Sequence, residues 1–298
     1  MSRGDPAGTD RSDGPPEFEE GRYLYCVVRA DETDASLETT GIDDEAVSVV
    51  VDDGIGAVVH ACDELYDSAD LERIRRWVVR HQSVVDDAAD AFGTPLPFQF
   101  DTIVRGDDEV VRTWLRDERE GIVAALDALA DHWEYRIEVV RTDPIDEATL
   151  LERDDRLSEL RERIDDADDG TAFLLEKQFD DRIRERRRAR RDAVSTDLRE
   201  RLEPHAREVR ELERTASTRV AGGDAAADGS TDDGETVCRM TLLATEDEAG
   251  EIGALLDDVA AEPGREVRFT GPWPPYTFAP ELGSEDDPRD GRGTDEYR

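Results

Sequence analysis

Seven arginines lie within ten residues of this sequence, between Arg182 and Arg191, with Glu185 as the only acid among them. The stretch has a net charge of 7 − 1 = +6, whereas the whole chain has a net charge of −39. Guanidinium groups bind carboxylates through two parallel hydrogen bonds and stack on planar groups. The cluster therefore predicts either ion pairs within the chain or a docking site for an acidic protein. The expected contact residues are Arg182, Arg186, Arg187 and Arg190.

The internal alternative pairs these arginines with the acidic segment that precedes Gly170. The carboxylates available there are those of Glu159, Glu162, Asp165 and Asp166. Nucleic acid is a third possible partner, but a chain with 77 Asp and Glu residues against 38 Lys and Arg residues repels phosphates. The composition thus predicts a protein as the partner and no nucleic acid.

A second unusual stretch, Gly271–Phe278, contains three prolines and three aromatic residues in eight positions. Proline fixes the backbone, and aromatic side chains provide large contact areas at a low entropic cost. The segment is therefore expected either to pack over its own sheet or to present a rigid apolar surface to a partner. The residues that would form this surface are Trp273, Pro274, Pro275, Tyr276 and Phe278.

Few residues occur in patterns that are typical of catalysis or metal binding. His60 and Cys62 share one face of a predicted strand, but two ligands do not make a zinc site. His81 is expected to be a hydrogen-bonded core residue rather than a catalytic base. A partial calcium-loop pattern over residues 224–235 lacks one ligand position, and Gly54-Ile55-Gly56 lies between two predicted strands, where no dinucleotide loop belongs. We predict no catalytic residue, no cofactor and no metal.

The basic residues comprise 37 arginines and one lysine, Lys177. Together with the acidic excess, this composition is typical of a protein adapted to molar salt, where the Debye length is about 3 Å and self-repulsion is screened. The longest apolar runs are about five residues, well short of the roughly 20 that a membrane span needs. The first residues also contain no apolar core of a secretory signal. We therefore expect an intracellular protein without a membrane span.

The first of two predicted domains covers residues 22–131 and has an α+β fold. Apolar runs rich in β-branched residues indicate strands, and apolar residues at helical spacing indicate helices. These elements are predicted over residues 23–28, 47–51, 55–62, 71–92 and 110–130. The turn signal at Asp52-Asp53-Gly54 predicts a hairpin, and Gly93 is expected to end the first helix.

The second predicted domain covers residues 132–280 and has a ferredoxin-like α+β arrangement, with the order strand, helix, helix, strand, helix, strand. Its longest helix is expected from Ala172 to Leu212, after a helix whose C-terminal cap is Gly170. A Gly- and Asp-rich stretch predicts a flexible insert over residues 215–236. The two acidic ends are predicted to be disordered, at residues 1–21 and 281–298.

Several blocks of the sequence, in this order along the chain, resemble the gas vesicle protein GvpF/GvpL family. Gly271–Phe278, directly after a predicted strand, is similar to the C-terminal signature of the family. His81 followed by Thr94–Thr102 resembles its H…PLPxxFxT block. The other similar blocks are the opening strand, the next strand pair and the G-x-x-[YF]-L-x-x-K entry to a long helix, at Tyr23–Val28, Gly54–Val59 and Gly170–Lys177. The resemblance covers residues 22–279.

The chain departs from the family pattern at two positions, since Gln99 and Asp101 stand where the family usually has Arg and Gly. A contact made by that arginine would therefore not be made in the same way here. The length and the halophilic composition are more similar to the haloarchaeal GvpL branch than to the shorter GvpF.

The resemblance implies two α+β domains, of which the second has a modified ferredoxin-like fold with a long helix, and it implies no enzymatic activity. It also implies an accessory or minor structural role in building gas vesicles, with contacts to the shell protein GvpA and to other accessory gas vesicle proteins. We accordingly predict a soluble adaptor that is cytoplasmic before assembly and located at the gas vesicle afterwards. The alternative is a ferredoxin-like regulatory module that binds a small ligand.

Overall fold

A computed structural model of the chain describes residues 18–31, 35–142, 147–212, 235–280 and 282. The described residues form two compact units. Unit 1 extends to Ala130 and includes residues 279, 280 and 282, whereas unit 2 contains the described residues between Asp131 and Phe278. No helix within these ranges is long and apolar enough to cross a bilayer.

Unit 1 combines one antiparallel sheet with three helices in its described part. Its elements, in chain order, are β1 (Gly21–Arg29), β2 (Ser48–Asp52), β3 (Ile55–Cys62), α1 (Leu71–Phe92), β4 (Leu96–Pro97), β5 (Ile103–Arg105), α2 (Asp108–Asp117) and α3 (Arg119–Leu129). The sheet has the order β2-β3-β1-β4, and β5 also pairs with β1. Because β1 has neighbours on both edges and is buried along most of its length, its sequence is a nearly continuous apolar run.

The hairpin formed by β2 and β3 agrees with the prediction. Its two turn residues, Asp53 and Gly54, both have positive φ values, 47° and 85°, as the two-residue hairpin turn requires. Helix α1 begins after Asp70, whose carboxylate accepts from the backbone N–H groups of Glu72 and Arg73, and it ends at Gly93. Here the local sequence signals alone locate the element ends.

The single helix predicted over residues 110–130 is wrong, because the structure divides it into α2 and α3 at Glu118. This stretch contains no proline, and its one glycine, Gly121, lies inside α3 and not at the break. The arginines on the two sides of the break instead bind the hairpin turn, with Arg116 pairing to Asp52 at 2.9 Å and Arg119 to Asp53 at 2.9 Å. The position of the break thus depends on tertiary contacts that the periodicity does not contain.

Unit 2 also has an antiparallel sheet with helices. Its elements are β6 (Trp133–Arg141), α4 (Glu147–Arg153), α5 (Asp155–Asp165), α6 (Asp169–Leu202), β7 (Glu208–Glu211), β8 (Glu235–Ala244), α7 (Glu246–Ala260) and β9 (Arg265–Trp273). The strand order is β7-β8-β6-β9. Alternate residues of β6 point into the core beside the end of α6 and one face of α7, and this core includes Tyr135, Ile137, Val139, Leu198, Leu202, Ile252 and Leu256.

The long helix ends ten residues earlier than predicted, at Leu202 instead of Leu212. Pro204 follows within a short 3₁₀ turn, and it has no N–H group with which to continue the helical ladder. The residues after it form β7, in which Val209 pairs with Leu242 of β8. The apolar residues Val209 and Leu212 therefore belong to an additional strand region that the sequence analysis assigned to the helix.

Two local predictions in unit 2 also change. Gly170 is not a C-terminal cap, because it lies in the first turn of α6, and α5 is capped by Asp166. Asp168 caps the start of α6 by accepting from the backbone N–H of Thr171 at 3.0 Å. Of the insert predicted over residues 215–236, residues 215–234 lie outside the described part of the chain, whereas the last two residues pair with β6 at the start of β8.

Candidate partner-binding surfaces

The arginine-rich part of α6 follows a stretch of that helix that packs on α4 and α5. Leu175 and Phe179 of α6 are buried against a small apolar cluster whose other buried members are Leu150, Leu157 and Leu160. Asp154 lies between α4 and α5 and is only 5% exposed. One of its carboxylate oxygens, Oδ1, accepts from the backbone N–H groups of Arg156 and Leu157, at 3.1 and 3.4 Å, and so caps α5.

Two of the four expected contact arginines are bound to this same carboxylate. Arg182 Nε donates to Asp154 Oδ2 at 3.0 Å, and Arg186 Nε donates to the same atom. Burial opposes ionisation of Asp154, but the hydrogen bonds from Arg186 and Arg182 outweigh it and lower the pKa of this carboxyl. Arg182 and Arg186 therefore join α6 to α5, which is an internal role.

The internal pairing that the sequence suggested thus occurs, but with a different acid. The expected partners were Glu159, Glu162, Asp165 and Asp166, whereas the ion pairs of Arg182 go to Asp154 and Glu185. The reason is that Asp154 breaks the predicted single helix before Gly170 and so places its carboxylate under α6.

Arg187 and Arg190, the other two expected contact residues, form no ion pair within the part of the chain that the structure describes. Both line a cavity of about 50 Å³ on unit 2. Arg141, at the end of β6, and Arg191 line the same cavity. The four expected contact arginines therefore separate into a pair bound to Asp154 near α5 and a pair near the sheet that has no ion pair within the described residues.

The Gly271–Phe278 segment leaves β9 and turns back over unit 2. Glu134 of β6 lies beneath it, with no exposed surface. The Glu134 carboxylate accepts from the backbone N–H of Thr277 at 2.7 Å, from the Thr277 hydroxyl at 2.9 Å and from Arg136 Nε at 3.0 Å. A Cβ atom on Gly271, whose φ is +131°, would approach the Glu134 carbonyl oxygen to 2.8 Å. These contacts hold the segment against β6.

A second anchor comes from β7. The Arg210 guanidinium lies over the Phe278 ring, 4.7 Å from its centroid, and also donates to the backbone carbonyl of Thr277. The segment is therefore largely packed against its own unit. Pro274, Pro275 and Phe278 are buried, whereas Trp273 and Tyr276 are half-buried and reach the surface.

In unit 1, His81 is a buried, hydrogen-bonded core residue, as expected. Its Nε2 donates to the carbonyl of Phe98 at 3.2 Å, and its Nδ1 accepts from the Tyr23 hydroxyl at 2.8 Å. The Tyr23 oxygen in turn accepts from the backbone N–H of Asp101. This network assigns the neutral Nε2–H tautomer to the ring. Burial lowers the pKa of His81 to about 4, in agreement with a neutral imidazole.

His60 lies in a parallel network. The Tyr25 hydroxyl accepts from the backbone N–H of Ile42 and forms a hydrogen bond with His60 Nδ1 at 2.8 Å, and His60 Nε2 forms a hydrogen bond with the Tyr66 hydroxyl at 2.7 Å. Burial lowers the pKa of His60 to about 4. Both ring nitrogens are thus occupied, and no group of three or more metal-binding side chains occurs among the described residues. Residues 224–234, which carry most of the partial calcium pattern, lie outside them.

Asp101, one of the two departures from the family pattern, occupies a left-handed conformation with φ at 67°. Glycine enters this region without strain, whereas Asp tolerates it at some cost. The carboxylate of Asp101 accepts from the backbone N–H of Tyr66 at 3.0 Å, which ties the loop to the histidine network. Glycine at this position would fit the backbone but would lack that hydrogen bond.

Sequence reasoning did not identify Glu134, Asp154 or Arg210 as organising residues. Glu134 lies on the polar face of an alternating strand and is therefore expected to be exposed. The sequence does not show that the Gly271–Phe278 segment covers this face of β6. Asp154 had a usable signal, since an Asp directly before Asp155-Arg156-Leu157 is a typical helix N-cap. Arg210 was assigned to the long helix.

Comparison with known proteins identifies relatives over nearly the whole chain. The family model "Gas vesicle synthesis protein GvpL/GvpF" matches residues 21–280, which include both units. Gas vesicle protein L2 of Halobacterium salinarum is 44% identical over 279 residues, 93% of this chain and 97% of that protein. Gas vesicle protein L of Haloferax mediterranei is 38% identical in an alignment 307 positions long, which covers 92% of this chain and 93% of that protein. These relatives confirm the resemblance to haloarchaeal GvpL.

Solved structures with the same fold support the α+β class. The structure of GvpF from Anabaena sp. has a TM-score of 0.63 and 19% identity, and the similarity covers 88% of this chain and 99% of that one. GvpF from Microcystis aeruginosa has a TM-score of 0.59 at the same identity and coverage. At this level of identity the similarity establishes the fold, and the family model and the haloarchaeal relatives establish the family.

Proposed function

The chain belongs to the GvpL/GvpF family of gas vesicle synthesis proteins, and on this premise we propose that it is an adaptor in gas vesicle assembly. In this role it contacts the shell protein GvpA and other accessory gas vesicle proteins, and it catalyses no reaction. It is cytoplasmic before assembly and located at the vesicle afterwards. The observation that carries the proposal is the family match, which extends over residues 21–280 and so includes both units.

We propose that unit 2 has a modified ferredoxin-like fold and that the two units are separate domains. The chain order of unit 2 supports this view, since a strand, a helical region, two strands, a helix and a last strand follow one another. The two middle strands, β7 and β8, pair with each other, and β6 lies between β8 and β9. Because α6 ends at Leu202, the residues after it form β7, the fourth strand of this arrangement, which was not predicted from the sequence.

The proposed partner contacts are the two surfaces of unit 2. Of the arginine surface, Arg187 and Arg190 are available to a partner, whereas Arg182 and Arg186 hold α6 in place. In the Gly271–Phe278 segment, Trp273 and Tyr276 are partly exposed, whereas Pro274, Pro275 and Phe278 are buried and hold the backbone of the segment in place. Half-buried aromatic residues on a rigid backbone are typical of energetically important interface positions.

Replacing Trp273 and Tyr276 by Ala together with Arg187 and Arg190 by Ala tests this assignment. We expect a host whose own gene is replaced by this variant to lose gas vesicles, because two partner surfaces are removed while the anchors Glu134 and Asp154 remain. The control replaces Arg184 and Arg188 by Ala. These two arginines lie on the same helix, and among the described residues their ion pairs are with the nearby Asp181 and Asp192. Normal vesicles and normal partner recovery with the fourfold variant would contradict the assignment.

A further inference from the structure

The cavity beside α6, defined here as the arginine cavity, has an unusual charge for this chain. Four arginines line it, namely Arg141, Arg187, Arg190 and Arg191, and among the described residues its only acidic lining residue is Glu235. Glu235 pairs with Arg191. The lining therefore has a charge of 4 − 1 = +3 within a protein whose net charge is −39.

Three of these four arginines have no acidic partner among the described residues, although the chain is rich in acids. Within the described residues, Arg141, Arg187 and Arg190 take part in no ion pair, in a chain with 77 carboxylates for 38 basic groups. Partial burial lowers the pKa of Arg190, and the charges of Arg141, Arg153 and Arg265 lower it further. Guanidinium groups that repel one another in this way are stabilised by a shared anion.

A missing hydrogen-bond acceptor points in the same direction. The Nε–H group of Arg191 is buried, and it has no acceptor among the described residues. An unsatisfied buried donor destabilises the fold, and more so when the group is charged. An oxyanion in the cavity would accept from this group and would at the same time neutralise the neighbouring arginines.

The size of the cavity restricts what such an anion can be. A volume of about 50 Å³ is far below the roughly 300–1,000 Å³ of small-molecule sites. It admits one small polar group and not a whole metabolite. Arg187 and Arg190 are exposed at its rim, so the rest of a larger partner remains outside.

We propose that the arginine cavity binds a side-chain carboxylate from an acidic segment of a partner protein. The proposal deepens the adaptor function and rests on it, since it names the chemistry by which one partner is recognised. In molar salt the Debye length is about 3 Å, so long-range attraction between charged surfaces is lost and only direct contacts remain. Bidentate guanidinium–carboxylate contacts meet this condition.

The test uses the full chain in about 2 M KCl, where the Debye length is only 2–3 Å, and a fluorescent oligoglutamate peptide as the probe. We expect saturable binding by the unchanged protein, measured by fluorescence anisotropy, and no binding of an oligoglutamine peptide. The double variant R187Q/R190Q should bind at least about tenfold more weakly, because two charge-assisted contacts are lost. The variant R184Q/R188Q, with the same change in charge on the same helix, should bind normally.

Three results would overturn the proposal: no saturable binding of oligoglutamate, equal weakening in both double variants, or binding of sodium sulfate that the peptide does not displace. The last result would indicate a site for a small oxyanion only. Circular dichroism of each variant provides the control for folding. The adaptor function is tested separately, by recovery of gas vesicle proteins from cells. If the R187Q/R190Q variant recovers all of them, the role of the arginine cavity is contradicted but the adaptor function is not. If the unchanged protein recovers none of them, the adaptor function itself is contradicted.

Discussion

The two units satisfy their buried polar groups in different ways. In unit 1, neutral tyrosine and histidine side chains pair inside the core, as in the contacts of Tyr23 with His81 and of Tyr25 with His60. In unit 2, arginines bind carboxylates near the surface, as in the contact of Arg182 with Asp154. In the first network both ring nitrogens of each histidine have a hydrogen-bond partner, whereas in the second some guanidinium groups at the arginine cavity have no carboxylate partner among the described residues.

This difference concerns the capacity of each unit to bind a partner. A closed neutral network contributes to the fold and offers nothing to a ligand, because both ring nitrogens of His60 and of His81 are already used. A charged network with unpaired members retains the capacity to bind. The comparison supports our proposal that partners bind unit 2, and it predicts that the two units respond differently to pH and to mutation.

The largest expected effect concerns both units and is the loss of structure in dilute buffer. The net charge of −39 is screened in molar KCl but not at low ionic strength, where mutual repulsion acts on the whole chain. We expect the far-ultraviolet circular dichroism signal to disappear below a few tenths molar KCl, roughly where the Debye length exceeds 5 Å. Recovery of the signal when salt is restored is the control, and an unchanged spectrum in dilute buffer would refute the interpretation.

The second prediction concerns acid sensitivity of unit 1. The pKa of His60 and of His81 falls from 6.5 to about 4 on folding, so the unfolded chain binds more protons between these values. The free energy of unfolding should therefore decrease as the pH falls from 6.5 to 4, by about 3 kcal/mol for each histidine. The measurement is chemical unfolding at constant molar KCl as a function of pH.

A matched pair of variants assigns this pH dependence. His60→Gln should remove about half of the slope between pH 6.5 and 4, because one of two titrating groups is gone. His205→Gln is the control, since His205 is half-exposed and pairs with Glu251. Equal slopes in the unchanged protein and in His60→Gln would show that the buried histidines are not the source of the effect.

The third prediction concerns the anchor of the C-terminal segment in unit 2. Glu134→Ala should lower the free energy of unfolding by about 3 kcal/mol, because the N–H of Thr277 and the Arg136 guanidinium lose a buried acceptor. Denaturant unfolding measures this change. Glu138→Ala, on the same strand face but with a partly exposed carboxylate, should cost about 1 kcal/mol or less, and an equal loss in both variants would contradict the anchoring role.

The smallest effect separates the two functions of Asp154. Asp154→Asn keeps an oxygen that can cap α5 but loses the charge that binds Arg182 and Arg186, and it should cost about 1 kcal/mol. Asp154→Ala loses both functions and should cost about 2 kcal/mol by the same contributions. Thermal unfolding in molar KCl measures the difference. Identical melting temperatures for the two variants would mean that the cap contributes nothing.

Local signals predicted the elements whose ends depend only on nearby residues. The turn at Asp53 and Gly54 and the end of α1 at Gly93 follow from turn and helix-stop signals in the sequence. The break at Glu118 and the strand β7 did not follow, because tertiary pairing determines them. The helical spacing at Val209 is coincidental, and Pro204 is the residue in the sequence that marks the end of α6.

Composition predicted where the two candidate surfaces lie along the chain, but it did not predict which of their residues are bound within unit 2 and which are accessible. Clustering of arginine identified Arg182–Arg191, yet only the structure separates the residues bound to Asp154 from those at the cavity. Likewise, the prolines and aromatics identified Gly271–Phe278, but Glu134 beneath the segment is distant in sequence. Contacts over more than a hundred residues have no signature in a single sequence.

The adaptor role is tested most directly by an affinity pull-down of the tagged full-length protein from haloarchaeal cells that are producing gas vesicles. Extraction at about 2 M KCl preserves the fold and leaves only contacts that survive screening. We predict that mass spectrometry identifies GvpA and other accessory gas vesicle proteins in the recovered material, and that R187Q/R190Q recovers less of at least one of them. Recovery of no gas vesicle protein from such cells would contradict the account.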